Sequence, residues 1–195
     1  MDRLFDLTQD SDSSSDEPAA DQKLVMKYLA LHKKKIANIN ALINPPNPDE
    51  FLFLFTDRSF NAFTFIPYLI EQHGSIQELT LSTFSISKRI LGAFARFLET
   101  GAIGSANLVI ADSLKHQRPD VVQSLVHLSE RHSSLSFTLS WNHSKILVAK
   151  AGAGNYVIEG SGNWSENARH EQYLFANSKS LLDFRLDCLA NVERR

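Results

Sequence analysis

The chain has 195 residues, 43 % of them hydrophobic and 22 % charged, with a formal net charge of −2. That length suits one domain with its own core and leaves little for a second. Composition excludes a helical membrane span, because apolar runs such as Phe51-Leu52-Phe53-Leu54-Phe55 fall far short of the roughly 20 residues that cross a bilayer. Cys188 is the only cysteine, so no disulfide can form within the chain. Met1-Asp2-Arg3-Leu4-Phe5-Asp6 has acids where a signal peptide has bases, and the expected setting is cytoplasmic without stable membrane association.

The first segment is an acidic tail over residues 1–22. Seven acids face one base before position 22, a net of −6, which leaves +4 for the remainder. Its Ser-rich, weakly apolar stretch cannot offset chain entropy by burial and is expected to be disordered. Solubility is the ordinary role of such a tail; covering a basic groove as a nucleic-acid mimic is the functional alternative. From Lys23 the apolar residues Leu24, Tyr28, Leu31, Ile36, Ile39, Leu42 and Ile43 recur near three and four, predicting a helix over 23–44 with Lys33-Lys34-Lys35 on a solvated face. Asn44-Pro45-Pro46-Asn47-Pro48 ends it.

The domain expected over 45–195 then alternates strands and helices. Phe51–Phe55 reads as a buried strand, Phe60–Gln72 as a helix stopped by Gly74, and Glu78–Thr83 as a strand. Ser85–Thr100 reads as a helix capped by Ser85 or Ser87, Leu108–Ala111 as a short strand, and Pro119–His132 as a proline-initiated helix. Leu135–Leu139, Lys145–Lys150, Asn155–Glu159 and Gln172–Phe175 read as strands, and Ser178–Val192 as a closing helix. Early β-α units followed by hairpins predict an α/β fold: a mixed β-sheet flanked by helices on both faces. Phe51, Phe53, Phe55, Phe63, Phe65, Phe94 and Phe97 are expected in the core.

The chemistry-bearing segment is Trp141–Phe175. It holds His143-Ser144-Lys145, then Gly160-Ser161-Gly162-Asn163, then Glu171. Residues two apart on a strand share a face, so His143 pairs with Lys145 and Ser161 with Asn163. The Ala151–Asn155 stretch between them predicts a hairpin, which brings both pairs, and Glu171, to one rim. Lys145 can neutralise a phosphate, Ser161 and Asn163 can donate hydrogen bonds to its oxygens, and a neutral imidazole can attack phosphorus. The attacking nitrogen needs the other ring nitrogen tied to an acceptor, for which Glu171 is the natural choice. A second histidine must protonate the leaving oxygen and later activate water. No metal or cofactor enters this scheme.

These residues resemble the HxK…GSxN signature of the phospholipase D superfamily, with specific likeness over Trp141–Phe175 and looser likeness over Phe51–Leu139. The resemblance implies that His143 is a nucleophile that becomes phosphorylated. It implies that Lys145 and Asn163 hold the phosphate, with Ser161 assisting, and that Glu171 orients His143. Of His32, His73, His116, His127, His132 and His170, only His32 has lysine two residues on, and no Gly-Ser-x-Asn follows it at the spacing of His143 and Gly160, so the chain carries one such combined motif. The resemblance then implies a homodimer in which two copies of His143 meet across a twofold axis. One-motif relatives of this size make nucleic acid, DNA first, the expected partner. A non-cutting nucleic-acid-binding module is the second reading and a phospholipid phosphodiesterase the third.

Two features depart from the family pattern. Lys150 stands where the family has aspartate, and the gap to Gly160 is three residues longer than usual. A longer Ala151–Asn155 turn is expected to absorb the extra residues, and Glu159 is expected to pair with Lys150 across the hairpin. A metal site at His143, His170 and Glu171 is disfavoured, because His170 and Glu171 are adjacent and point to opposite faces. Trp164 is expected as a core or dimer-interface aromatic, and Arg169 and Lys88 as solvated charges.

Overall fold

The computed structural model describes residues 30–36, 39, 42, 44–56, 61–164 and 170–192. The acidic tail, residues 23–29 of the expected helix, Phe60 and Arg169 lie outside the described residues. The strands are β1 (Ala30–Ile36), β2 (Glu50–Thr56), β3 (Ile76–Thr83), β4 (Ile103–Ala111), β5 (Leu135–Ser140), β6 (Ile146–Ala151), β7 (Gly154–Gly160) and β8 (Glu171–Asn177). The helices are α1 (Phe65–His73), α2 (Lys88–Glu99), α3 (Leu114–Gln117), α4 (Pro119–Arg131) and α5 (Lys179–Ala190).

The strands form one mixed sheet in the order β1-β2-β8-β7-β6-β3-β4-β5. β3, β4 and β5 run parallel, as do β1 and β2; β2-β8, β8-β7, β7-β6 and β6-β3 are antiparallel. Side chains of β6 alternate between two cores. Leu147, Ala149 and Ala151 join the larger one with Phe65, Ile66 and Leu69 of α1, Phe94 of α2 and Val121 and Leu125 of α4. Val148 joins Val109 and Val157 under Leu182 and Leu189 of α5, with Ile146 packed alongside. Helices therefore cover both faces, as expected for the fold class.

Local signals explain the helix ends. The Ser87 hydroxyl accepts from the Ile90 N–H at 3.3 Å and caps α2, so Ser87, not Ser85, is the cap. Pro119 occupies the first turn of α4, where its missing N–H costs nothing. Gly74 follows α1 at φ 81°, a conformation open to glycine without strain.

Three expectations are corrected. The helix predicted over 23–44 contains a strand: Ala30–Ile36 pairs parallel with β2, from Ala30 opposite Glu50 to Ile36 opposite Thr56. The open edge of β2 satisfies these backbone groups, whereas a lone helix of that length is marginal in water. The strand predicted at Leu108–Ala111 begins at Ile103, because the polar residues Ser105 and Asn107 belong to the pleat and not to a loop. The third correction concerns the phenylalanines. Phe65 and Phe94 are buried, and Phe63 and Phe97 pack against the core. Phe53 and Phe55 are instead 45 % and 47 % exposed. β2 buries Leu52, Leu54 and Thr56 on one face only, and the main packing of α5 falls on β6 and β7.

His73, at the end of α1, is bonded through Nε2 to the Tyr156 hydroxyl at 2.9 Å, and burial lowers its pKa. Below the ordinary imidazole range the unfolded chain binds a proton that the folded chain refuses, so stability falls as pH falls. Denaturant unfolding at about pH 7.5 and 5.5 should show this loss, and His73→Gln should lose less than wild type over the same interval.

Candidate active site

The parallel strands β3 and β4 end side by side, and the segment from Trp141 to Lys145 crosses over their carboxyl ends to enter β6. A buried amide holds that segment down. Asn142 Nδ2 donates to Ser82 Oγ at 2.8 Å and to the carbonyls of Thr83 and Val109 at 3.3 Å each. Its Oδ1 accepts from the Ser144 N–H at 3.0 Å and the Ser144 hydroxyl at 2.7 Å. Ser144 and Ser82 share a further hydroxyl–hydroxyl bond of 2.5 Å. With its two neighbours fixed, His143 is held between them and its ring lies against Phe84, centroids 4.8 Å apart.

His143 and Lys145 precede β6 and do not sit on it, yet their side chains meet as expected. Lys145 Nζ lies 2.8 Å from the His143 carbonyl and 3.3 Å from His143 Nδ1. An ammonium has only donors, so Nδ1 in this arrangement is the acceptor and the ring proton belongs on Nε2. Burial pulls the Lys145 pKa down, and the charge of Glu171 opposes that shift.

The other half of the rim comes from β7 and β8. The Gly160 N–H donates to the Lys145 carbonyl at 3.2 Å, and the Ser161 N–H to the Gln172 carbonyl at 3.2 Å. Both ladders thus continue past the strand ends and bring Ser161 beside Lys145. The Ser161 hydroxyl donates to the Glu171 carboxylate and accepts from the Gln172 N–H at 3.2 Å. Glu171 is buried, and its own N–H donates to Thr56 Oγ1 at 3.1 Å. Glycine is required at 160 and 162 by close approach, since a Cβ at either would strike Tyr173.

Asn163 has a buried Oδ1 without a hydrogen-bond partner among the described residues. Trp164 next to it is fully buried, as expected of a core aromatic. Its N–H bonds the Ser85 carbonyl at 3.1 Å and Thr83 Oγ1 at 3.3 Å, and its carbonyl accepts from the Ser87 N–H at 3.1 Å. That pins the end of the motif to the loop after β3.

A pocket of about 490 Å³ opens on this rim, lined by His143, Ser144, Lys145, Ile146, Glu159, Gly160, Ser161 and Arg185. Three of the five residues singled out by sequence line it. Glu171 stands behind Ser161, and Asn163 follows two residues on. Sequence reasoning missed Asn142, Ser82 and Phe84, whose roles depend on strands distant in the chain, and Arg185, which approaches from α5. His170 is turned to β2, with Nδ1 3.2 Å from the Thr56 carbonyl and its ring stacked 5.6 Å from Phe55. Among the described residues no three His, Cys, Asp or Glu side chains gather as a metal set.

The hairpin corrects two expectations. Ala151 pairs with Gly154, so the turn has two residues, and the extra length lies in the strands. Register places Ile146, not Lys150, opposite Glu159, while Lys150 stands opposite Asn155 and, on its other side, Glu78. Lys150 pairs with Glu78 at 2.8 Å, and Glu159 with Arg185. Lys88 is paired too, with Asp120 at 3.1 Å.

Two substitutions test these assignments. Asn142→Ala strands buried hydroxyl and carbonyl groups and should cost about 1–3 kcal/mol in denaturant unfolding. Lys150→Asp puts like charges opposite each other at Glu78 and should lower stability by about 0.5–1 kcal/mol. An unchanged midpoint in either would refute the corresponding contact.

No family model matches the chain, and no curated protein does. Solved structures do. NucT from Helicobacter pylori superposes with a TM-score of 0.50 at 13 % identity, over 75 % of this chain and 100 % of that one. Phosphatidylserine synthase of Haemophilus influenzae Rd KW20 gives 0.52 at 13 %, over 74 % of this chain and 40 % of that one. Polyphosphate kinase from Porphyromonas gingivalis gives 0.52 at 14 %, over 74 % of this chain and 26 % of that one. At such identities the likeness concerns the backbone, and the mixed sheet with its helices is a phospholipase D-like fold.

Proposed function

We propose that the chain is a metal-independent phosphodiesterase, a nuclease that works through a phosphohistidine in a homodimer. The observation that carries this reading is one pocket wall built from the His143 imidazole, the Lys145 ammonium and the Ser161 hydroxyl. The names of two structures sharing the fold, a phosphatidylserine synthase and a polyphosphate kinase, agree with phosphoryl chemistry.

An arriving phosphate competes for the Lys145 ammonium that now rests 3.3 Å from His143 Nδ1. Drawing Lys145 onto the phosphate leaves Nδ1 free to carry the ring proton, with Glu171 as the acceptor, and frees the Nε2 lone pair for attack. The P–O bond to the leaving group breaks as the P–N bond forms. The leaving oxygen takes its proton from His143 of the partner subunit, which then removes a proton from the water that hydrolyses the phosphohistidine. Lys145, Asn163 and Ser161 stabilise the charge on the non-bridging oxygens.

A second reading, a module that grips nucleic acid without cutting, is favoured by Lys150, whose bond to Glu78 occupies the position of the family's acid. Incubation of single- and double-stranded DNA in excess chelator separates the two. Under the first reading wild type cleaves, His143→Ala loses about three orders of magnitude or more, and rapid quenching traps an acid-labile protein–DNA adduct joined through phosphohistidine. Salt-dependent DNA binding with no turnover supports the second reading. A fully active monomer in sedimentation would refute the shared site.

A further inference from the structure

The pocket holds a cation that the scheme above does not use. Arg185, on α5, reaches the wall formed by His143, Lys145 and Ser161. Its Nε and Nη2 donate to the two oxygens of Glu159 at 2.5 and 2.8 Å, a bidentate pair. Its guanidinium carbon sits 5.1 Å from the centroid of the exposed Phe184 ring.

We propose that Arg185 is a second phosphate anchor, which holds the phosphodiester next to the one under attack and so selects polymeric substrates over single-diester ones. This rests on the phosphodiesterase reading for the identity of the attacked phosphate. Three features carry it. The pocket is far larger than one phosphoryl group requires. A guanidinium fork fits phosphate with the geometry it uses for carboxylate, so exchanging Glu159 for phosphate keeps both hydrogen bonds. The pair is partly open to water, with side chains 27 % and 22 % exposed, so exchange does not require unburying a sealed ion pair. The contact with Phe184 limits the guanidinium's freedom before the ligand arrives. Glu159 then acts as a place-holder that keeps Arg185 paired until phosphate binds and competes with weak anions.

Binding of a fluorescein-labelled oligothymidylate is measured by anisotropy over a salt series, in full-length chains carrying His143→Ala to prevent turnover. Adding Arg185→Gln should weaken binding about tenfold and reduce the log–log salt slope by about 0.7, the value for one phosphate contact on a single strand. Adding Glu159→Gln should tighten binding several-fold, whereas a mere strut between α5 and β7 would weaken in both variants. In the otherwise wild-type chain, Arg185→Gln should raise KM for the oligonucleotide by a clearly larger factor than KM for bis(p-nitrophenyl) phosphate. An unchanged salt slope, weaker binding in Glu159→Gln, equal losses on both substrates, or a parent chain that does not bind the oligothymidylate overturns the proposal. If wild type hydrolyses neither diester, the hydrolytic reading falls while the binding series still decides the role of Arg185.

Discussion

β6 and β7 are joined through Gly152 and Ala153, with Gly152 at φ 56° and Ala151 paired directly with Gly154. So short a turn leaves the two strands a single register. Because side chains alternate every residue, a slip of one position would take Val157 out of the core it shares with its partner Val148. The same register carries outward through β8 and inward to β3, so Glu171, Ser161, Lys145 and Glu78 are located by one geometric decision. Everything at the rim depends on that decision. Tyr173 enforces it from the side, packed where glycines 160 and 162 leave it room.

Electrostatics at the rim follow a pattern of local neutralisation. The charge of Glu171 acts on Lys145 against the effect of burial, and Arg185 is bound to Glu159. Lys150, farther down the hairpin, is matched by Glu78. A cluster of unpaired cations would destabilise the fold by mutual repulsion. A carboxylate near each of them lets cationic groups sit close together at the rim. The histidine loop is secured differently, by the neutral amide and hydroxyls of Asn142, Ser82 and Ser144. Neutral partners fix position without adding a field that would bias the ring.

Much of the fold was readable because its signals are local. Pro119, Ser87 and Gly74 mark helix ends whatever surrounds them, and alternation reveals β3, β7 and β8. The β1 segment was misread because its structure is decided by the free edge of β2, to which its own spacing gives no clue. Phe53 and Phe55 were misplaced because a run of apolar residues does not say whether one face or both will be covered. At the site, His143, Lys145 and Ser161 were legible as a spaced pattern. Asn142, beside the pattern, has nothing in its own sequence context to announce a bond to Ser82, 60 residues earlier. Arg185 and Glu159 are 26 residues apart, and only the packing of α5 against β7 makes them neighbours.

The two tryptophans bracket the site in opposite surroundings. Trp141 is exposed two residues before His143, while Trp164 is sealed in the core one residue after Asn163. Their indoles therefore emit from water and from an apolar interior respectively, and a soluble quencher reaches the first alone. Each motif half thus has an intrinsic optical reporter, so movement of the histidine loop can be followed separately from loosening of the core without attaching a dye.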